Sequence, residues 1–355
     1  MLNRSVFFIC LLAAANSARA DQWFKGNTHV HTKLCGHADS SPEVVAKWYH
    51  DHGYNFLILS EHNKFINPKD VKLPENKRKD FILIPGEEVT GNKTIHSTAM
   101  NINKIVPWNF NHKDKSAIIQ NHVDGTREAG GHVILNHPNV RYAVSVKDIL
   151  PVKQLYMFEL YNGHPSVHNF GDHKHPSTEV MWDQLLTKGM LIYGVSSDDA
   201  HHFQKLSSKL SNPGRGWVMV KAPKLDADEI TKAMLRGDFY SSSGVFLKTY
   251  NRLPGTYTIE IDDKKTEEAI SSSKLSGRHV AKGKSGYKID FIGLNGKSLK
   301  ATEGLKGSYN IKKSDPYLRV KVTFTSKRKE GGFEEYYAWG QPVFTDGRAT
   351  QLRSK

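Results

Sequence analysis

Cysteine is nearly missing from this chain: two occur in 355 residues, Cys10 and Cys35. Cys10 lies inside an apolar N-terminal stretch and is followed by Leu11-Leu12, which makes it a poor lipid-attachment site. If that stretch is removed, Cys35 stands alone and no internal disulfide can form. Stability must then come from a packed core or from bound metal. Long apolar runs are also missing. Beyond the N-terminus none approaches the ~20 residues needed to span a bilayer. No Gly-X-Gly-X-X-Gly follows the first apolar segment, so a dinucleotide site has no support. No tandem repeat or low-complexity tract stands out. No interleaving of aromatic and basic residues offers a platform for stacked bases, which argues against a nucleic-acid partner.

The N-terminus shows an ordered pattern. Arg4 precedes the apolar residues 6–15, and Ala18-Arg19-Ala20 follows with small residues around a natural cut. This is the pattern of a cleaved secretory signal, so a secreted or periplasmic bacterial protein is expected. The whole chain is 38% hydrophobic and 24% charged, an ordinary globular balance with length enough for two domains. The formal charge is +14, and losing Arg4 and Arg19 leaves +12. From Phe246 onward, 22 Lys and Arg face 12 Asp and Glu, so +10 of that +12 sits in the last third. Such a face can draw in anionic substrates or envelope polyanions, or simply keep the surface solvated.

Short apolar runs alternate with helical segments through the first two-thirds. Residues 23–31, 56–59, 81–84, 132–135, 155–160 and 190–195 read as strands. Helices are expected after Ser41-Pro42, over 117–128 and over 180–187, each stopped near a glycine. This is the pattern of a parallel sheet covered by helices, either a β/α barrel or an open doubly wound sheet. From about Phe246 the texture changes to apolar–polar alternation, as in residues 257–261, 287–292 and 318–324. That predicts a small β-sandwich-like domain over residues 246–355, after a signal over 1–20 and a catalytic domain over 21–245.

The chemistry gathers where apolar runs end. His29 and His31, at i and i+2, share a face if extended and can aim at one ion. A single such pair is commonly two polar residues at a strand end. Recurrence gives it weight: Ser60-Glu61-His62 closes the second run, Glu87-Glu88 the third, His137 a later one, and Asp198-Asp199-Ala200-His201-His202 the last. The candidates are His29, His31, His37, His62, Glu88, His96, His137, Asp199 and His201. Imidazole with carboxylate suits Zn²⁺, Mn²⁺ or Fe²⁺, and this many donors suggests two or three divalent ions.

These residues resemble the PHP (polymerase and histidinol phosphatase) superfamily of metal-dependent hydrolases. The resemblance spans roughly residues 21–244. It rests on His29-Val-His31-Thr, Cys35-Gly-His37-Ala, Ser60-Glu-His62-Asn, Pro85-Gly-Glu-Glu88-Val, His132-Val-Ile-Leu-Asn-His137-Pro and Ser197-Asp-Asp199-Ala-His201-His202. It implies a distorted (βα)7 barrel with metals at the strand C-termini. It further implies a first ion on His29, His31, Glu88 and Asp199, a second on Glu88, His96 and His137, and a third on His37, His62 and His201. Glu87 competes with Glu88 and Asp198 with Asp199; the family spacing favours Glu88 and Asp199. Asp39 stands near the third set, and the alignment at His96 is looser. Trp182-Asp-Gln-Leu-Leu, Gly216-Trp217-Val-Met-Val and Leu235-Arg-Gly-Asp-Phe-Tyr240 look like a secreted branch that includes aryl-carbamate hydrolases. Its members carry a β-rich extension, to which Tyr337-Ala-Trp339-Gly-Gln-Pro-Val-Phe344 is similar.

The expected reaction is hydrolysis of a small anionic phosphate ester, with a metal-bridged hydroxide as nucleophile. Arg215 is the candidate phosphate clamp. His202 or His164 is the candidate donor of a proton to the leaving oxygen. Two alternatives stand beside this: an aryl ester or carbamate hydrolase using the same metals, and a non-catalytic envelope protein binding metal or polyanion.

Overall fold

A computed structural model of the chain describes residues 21–108, 113–272, 279–328 and 331–349. The expected signal, residues 1–20, lies outside them. Eighteen strands run in chain order: β1 Gln22–Asn27, β2 Phe56–Leu57, β3 Ile82–Leu83, β4 Gly86–Thr90, β5 His96–Met100, β6 His132–Leu135, β7 Met157–Asn162, β8 Tyr193–Ser197, β9 Trp217–Ala222, β10 Phe239–Ser242, β11 Leu247–Leu253, β12 Thr256–Ile261, β13 His279–Ala281, β14 Gly286–Ile292, β15 Ser298–Glu303, β16 Lys306–Asn310, β17 Tyr317–Lys327 and β18 Phe333–Phe344. The helices are α1 Pro42–Asp51, α2 Lys115–Glu128, α3 Val146–Ile149, α4 Thr178–Thr187, α5 Ala227–Leu235 and α6 Asp263–Ser272.

Local chemistry explains the helix ends. Ser41, Asp114 and Ser177 cap α1, α2 and α4 by accepting the N–H groups of Val44, Ala117 and Val180. Gly53, Gly130 and Gly189 follow those helices with φ between 74° and 88°, a region open to glycine without strain. Helix α4 turns Met181 and Leu185, and Trp182 and Leu186, inward as two i,i+4 pairs.

The sheet is mixed, which departs from the parallel pattern expected. Strands β1–β2–β3 and β6–β7–β8 are parallel. Strands β4 and β5 instead form an antiparallel hairpin, and β9 lies antiparallel to β1. Only five residues separate β4 from β5, too few for the crossover that parallel strands need. The expected single (βα)7 sheet is therefore not continuous among the described residues. Five strands, β4 to β8, form one sheet, and β1, β2 and β3 belong to another. Isolated bridges tie the two together at their rim, Val30 to Ala200 and His62 to Glu88.

The 245/246 division is crossed by backbone pairing. Strand β18 pairs with β10, Tyr240 facing Gly340, so strands from both segments share a ten-stranded sheet. Strands β11, β12 and β16 form a separate three-stranded layer. Tyr257, Ile259 and Ile261 of that layer pack with Ile289, Phe291, Val320 and Val322 of the large sheet. The two layers therefore face each other across this apolar packing, and the larger of them includes strands from both segments. Contacts also run the other way. Tyr317, Tyr337 and Trp339 join the core formed by Phe158, Trp182 and Leu185. Gln341 both donates to and accepts from the backbone of Gly194.

Candidate metal centre

The site forms where β1, β2, β6 and β8 run out, with Glu88 in the middle of β4 and His96 at the start of β5. Asn27 sets the first piece: its side chain donates to Gly216 O and accepts the His29 N–H. Ser60 and Ala200 grip the backbone on either side of Val30 and His31. Val30 is buried in apolar packing with Val45, Tyr49 and Leu59. His29 and His31 therefore turn together to the other face, and their Nε2 atoms lie 3.1 Å apart. His37, in the loop after the short turn Lys33–Cys35, brings its Nε2 to 2.9 Å from that of His201.

Glu88 stands among imidazoles. Its carboxylate oxygens lie 3.3 Å from His29 Nε2, 3.5 Å from His31 Nε2, 2.7 Å from His62 Nδ1, and 3.2 Å from both His96 Nδ1 and His137 Nε2. Glu87 points the other way, accepting the Val106 N–H at 2.6 Å. The two neighbouring aspartates split likewise. Asp199 lies 3.4 Å from both His29 and His31 and 3.7 Å from His201. Asp198 accepts Tyr49 Oη and the N–H groups of Gly214, Arg215 and Gly216.

All nine proposed donors thus come together. Within 4.8 Å of one another lie ligand atoms of four groups: His29, His31 and Glu88; His29, His137 and Asp199; His62, Glu88 and His96; and His31, Cys35 and His201. Two nitrogen pairs near 3 Å are the informative feature. Each pair can share at most one proton; otherwise two lone pairs face each other, which a cation between them would satisfy. His31 Nδ1 and His137 Nδ1 are buried with no hydrogen-bond partner among the described residues. His137 and Asp199 also sit at positive φ, 22° and 49°, conformations that cost on the order of 1–3 kcal/mol each and mark functional sites. The donor set, imidazole nitrogen with carboxylate oxygen, fits divalent transition ions.

The electrostatics agree with that fit. Burial pushes the Glu88 carboxyl up, but His29 and His96 outweigh it and hold it well below the usual range. Asp199 is likewise held down, with His29 and His31 overcoming burial. Burial opposes a charge on His29 too, yet Asp199, Glu159 and Glu88 together raise it. Burial opposes a charge on His62 and His137 as well, but Glu88 raises both. Burial, then the neighbouring imidazole of His201, drives His31 down, and burial takes His201 to about 4, leaving both as neutral donors.

The three proposed substrate residues fare differently. His164 comes within 5.8 Å of His201, ring centre to ring centre, at the edge of the cluster. His202 lies farther from that ring, at 6.5 Å, with its Nδ1 3.2 Å from Ser211 Oγ. Arg215 is buried, and its guanidinium donates to Gly163 O, Ser207 O and Asn212 Oδ1. Those bonds pin the loops after β7 and before β9; they leave it placed as a scaffold for the rim rather than as an open clamp.

A ring of supporting groups surrounds the donors; the sequence offered Glu159 as a support or strand residue and Asn162 as pocket lining, and left out Ser197, Asn136, Thr98 and Thr90 in this role. Glu159 Oε1 lies 2.8 Å from His29 Nδ1, while Oε2 accepts the His137 N–H and Asn162 Nδ2. Ser197 Oγ donates to the same carboxylate. Asn136 donates to Glu88 Oε1 and accepts twice from Thr98. Thr90 Oγ1 is 2.6 Å from His62 Nδ1. Such partners fix imidazole tautomer and orientation.

No family model matches the chain, and no curated protein matches it. Among solved structures, the chain is similar to a two-domain protein from Bacteroides vulgatus containing a predicted PHP-like metal-dependent phosphoesterase. The identity is 14%, over 89% of this chain and 95% of that one, with a TM-score of 0.44.

Proposed function

We propose that this chain is a secreted, metal-dependent phosphoesterase of the PHP type, acting on a small anionic phosphate ester. One observation carries the reading: eight His, Asp and Glu side chains from separate parts of the chain converge in four donor groups, His37 lies 2.9 Å from His201 of one of them, and Glu88 belongs to two of the groups. His29, His31, Glu88 and Asp199 would hold one ion, Glu88 with His96 and His137 a second, and His37, His62 and His201 a third. The Val30–Ala200 and His62–Glu88 bridges support a distorted barrel closed at this rim. Secretion rests on the pattern of residues 1–20 alone.

Bound divalent ions would supply Lewis acidity, making water a nucleophile near neutral pH and offsetting charge on phosphoryl oxygens. The chain's own residues do the rest. Glu88 and Asp199 stay ionised among imidazoles. Glu159 orients His29 through Nδ1 and His137 through its backbone N–H. His164, at the cluster's edge, is placed to hand a proton to the leaving oxygen. Arg215 keeps the two rim loops in register.

Elemental analysis of the mature protein, with parallel assays on p-nitrophenyl phosphate, bis-p-nitrophenyl phosphate and an aryl ester, tests the reading. Two or three equivalents of metal with chelator-sensitive phosphoesterase activity are expected. Metal with only ester or carbamate cleavage would move the assignment to an aryl ester or carbamate hydrolase. No metal after reconstitution with Zn²⁺, Mn²⁺ or Fe²⁺ would overturn it.

A further inference from the structure

A cavity of about 570 Å³ opens at the far end of β1 from the metal-type cluster. Trp23 lines it, and six residues of extended chain, roughly 20 Å, separate Trp23 from His29. Its wall draws on both segments of the chain: Trp23 and Lys221 from the paired strands β1 and β9, Tyr250 and Arg252 from β11, and Phe344 from β18. Pockets of this size are typical for small organic ligands, and seams between segments are a common place for them.

The lining has a definite chemistry. Three cations, Lys221, Arg236 and Arg252, border the cavity with one carboxylate, Asp238. Asp238 is already engaged on both oxygens, with Arg252 Nη2 at 2.9 Å and Arg236 Nε at 2.8 Å. Among the described residues, the Lys221 ammonium has Asp21 as its ion-pair partner, at 4.0 Å. Counting Asp21, the wall still holds one more cation than anion. Among the described residues, Asp238 is the one hydrogen-bond acceptor of the Arg252 guanidinium, so further planar donors remain over the cavity. Arg252 itself is held in place, its Cζ 5.6 Å from the centre of the Tyr250 ring. Trp23 meets Tyr250 edge to face at 5.9 Å, so the aromatic wall is rigid. Pre-placed guanidinium donors bind carboxylate or phosphoryl oxygens in pairs, and rigid rings take a flat apolar body at little entropic cost.

We propose that this cavity is a second binding site, separate from the metal-type cluster, for a small organic anion that carries a ring. The anionic group would meet Arg252, Arg236 and Lys221, and the ring would lie against Trp23, Tyr250 and Phe344. Because β1, β9, β11 and β18 all contribute, an occupant also clamps the N-terminal and C-terminal segments together.

Calorimetric titration of the full mature chain with phenylphosphonate tests this, with inorganic phosphate and benzyl alcohol as charge-only and ring-only probes. Phenylphosphonate should bind more tightly than either, by at least tenfold, and should raise the thermal midpoint. That binding should persist in Glu88→Gln, which alters the metal-type cluster, and weaken at least tenfold in Arg252→Gln. Lys221→Gln and Arg236→Gln, at half-exposed positions where folding is not at risk, should each weaken it severalfold. Binding lost in Glu88→Gln and unchanged in the Lys221 and Arg236 variants would place all of it at the cluster and overturn the proposal. Equal affinity for phenylphosphonate and inorganic phosphate would overturn the ring-binding half.

Discussion

His29 Nδ1 and Glu159 Oε1 are 2.8 Å apart, and both side chains are fully buried. A buried carboxylate needs a partner, and this one fixes which nitrogen of His29 faces the cluster. Replacing Glu159 by Gln keeps the volume and removes the charge. Metal affinity, measured by competition with a chelating dye, should fall about 10–100-fold, the usual cost of losing such a partner. Unchanged affinity would mean that the pairing is only structural.

Chelation should destabilise the protein. An ion that binds the folded chain alone adds stability by mass action, about 2.7 kcal/mol at a hundredfold excess over Kd. A chelator should therefore lower the thermal midpoint, and Zn²⁺ or Mn²⁺ should restore it. The same scan on a Glu88→Gln variant should show a much smaller shift. An equal shift in both would locate the stabilising ion elsewhere.

Residues 21–245 should not fold alone. Removing residues 246–355 strips β18 from β10 and takes Tyr317, Tyr337 and Trp339 out of the core around Phe158 and Trp182. Expression of the truncated chain should give insoluble protein or a species with exposed apolar surface, detectable by dye binding. A soluble, cooperatively melting fragment would show that the shared sheet is dispensable.

One joint between the segments is ionic and pH-dependent. Arg319, fully buried, makes a two-pronged contact with Asp183 and reaches Glu179 at 3.1 Å; Lys321 reaches Glu179 at 2.7 Å. Burial alone would raise the Glu179 carboxyl, but Lys321 and Arg319 outweigh it and take it to about 2. Its folded-state value lies below the unfolded one, so its contribution is present above about 4.5 and is lost as the pH falls toward 2. The urea midpoint gap between wild type and Glu179→Gln should be widest at pH 6 and should shrink steadily below pH 4.5. Arg319→Met leaves Asp183 buried without its partner and should cost about 3–5 kcal/mol.

Gly26 is a packing requirement. A methyl group there would sit 2.0 Å from the ring tip of Phe56, which is fully buried. Gly26→Ala should lose about 1–3 kcal/mol in urea unfolding, as overpacked cores do. Adding Phe56→Leu should recover part of the loss. Additive losses in the double variant would show that the ring is not the obstacle.

Much of the candidate site could be read from residue order because its donors stand at the ends of apolar runs. His29, Glu88, His137 and Asp199 each follow a short apolar segment, and backbone pairing brings those ends to one rim. Glu159 could be read from the sequence only as either a support for the ligands or a plain strand residue, because Phe158-Glu159-Leu160 has the look of an ordinary strand. Its signal was there: a lone acid in an apolar stretch is costly unless something charged lies opposite. The β4–β5 hairpin was also legible, since the link is too short for a crossover. The pairings of β9 with β1 and of β18 with β10 were not. They join residues far apart in sequence, and register between distant strands depends on shape across the whole core. Arg215 could not be settled from the sequence for a related reason: a loop arginine offers its donors either to a ligand or to nearby carbonyls, and the folded loop brings Gly163 O and Ser207 O to it.

The β10–β18 pairing also fixes an order in time. The strand that pairs with β10 in the large sheet, Phe333–Phe344, lies far downstream of it in the sequence. Until those residues have been synthesised, β10 has an open edge and the core around Phe158 lacks two aromatic side chains. The metal-type cluster, built mostly from residues 29–201, therefore waits for β18. A chain synthesised only as far as β10 holds its histidines without the full frame that surrounds them, so assembly of the candidate site is expected to follow synthesis of β18.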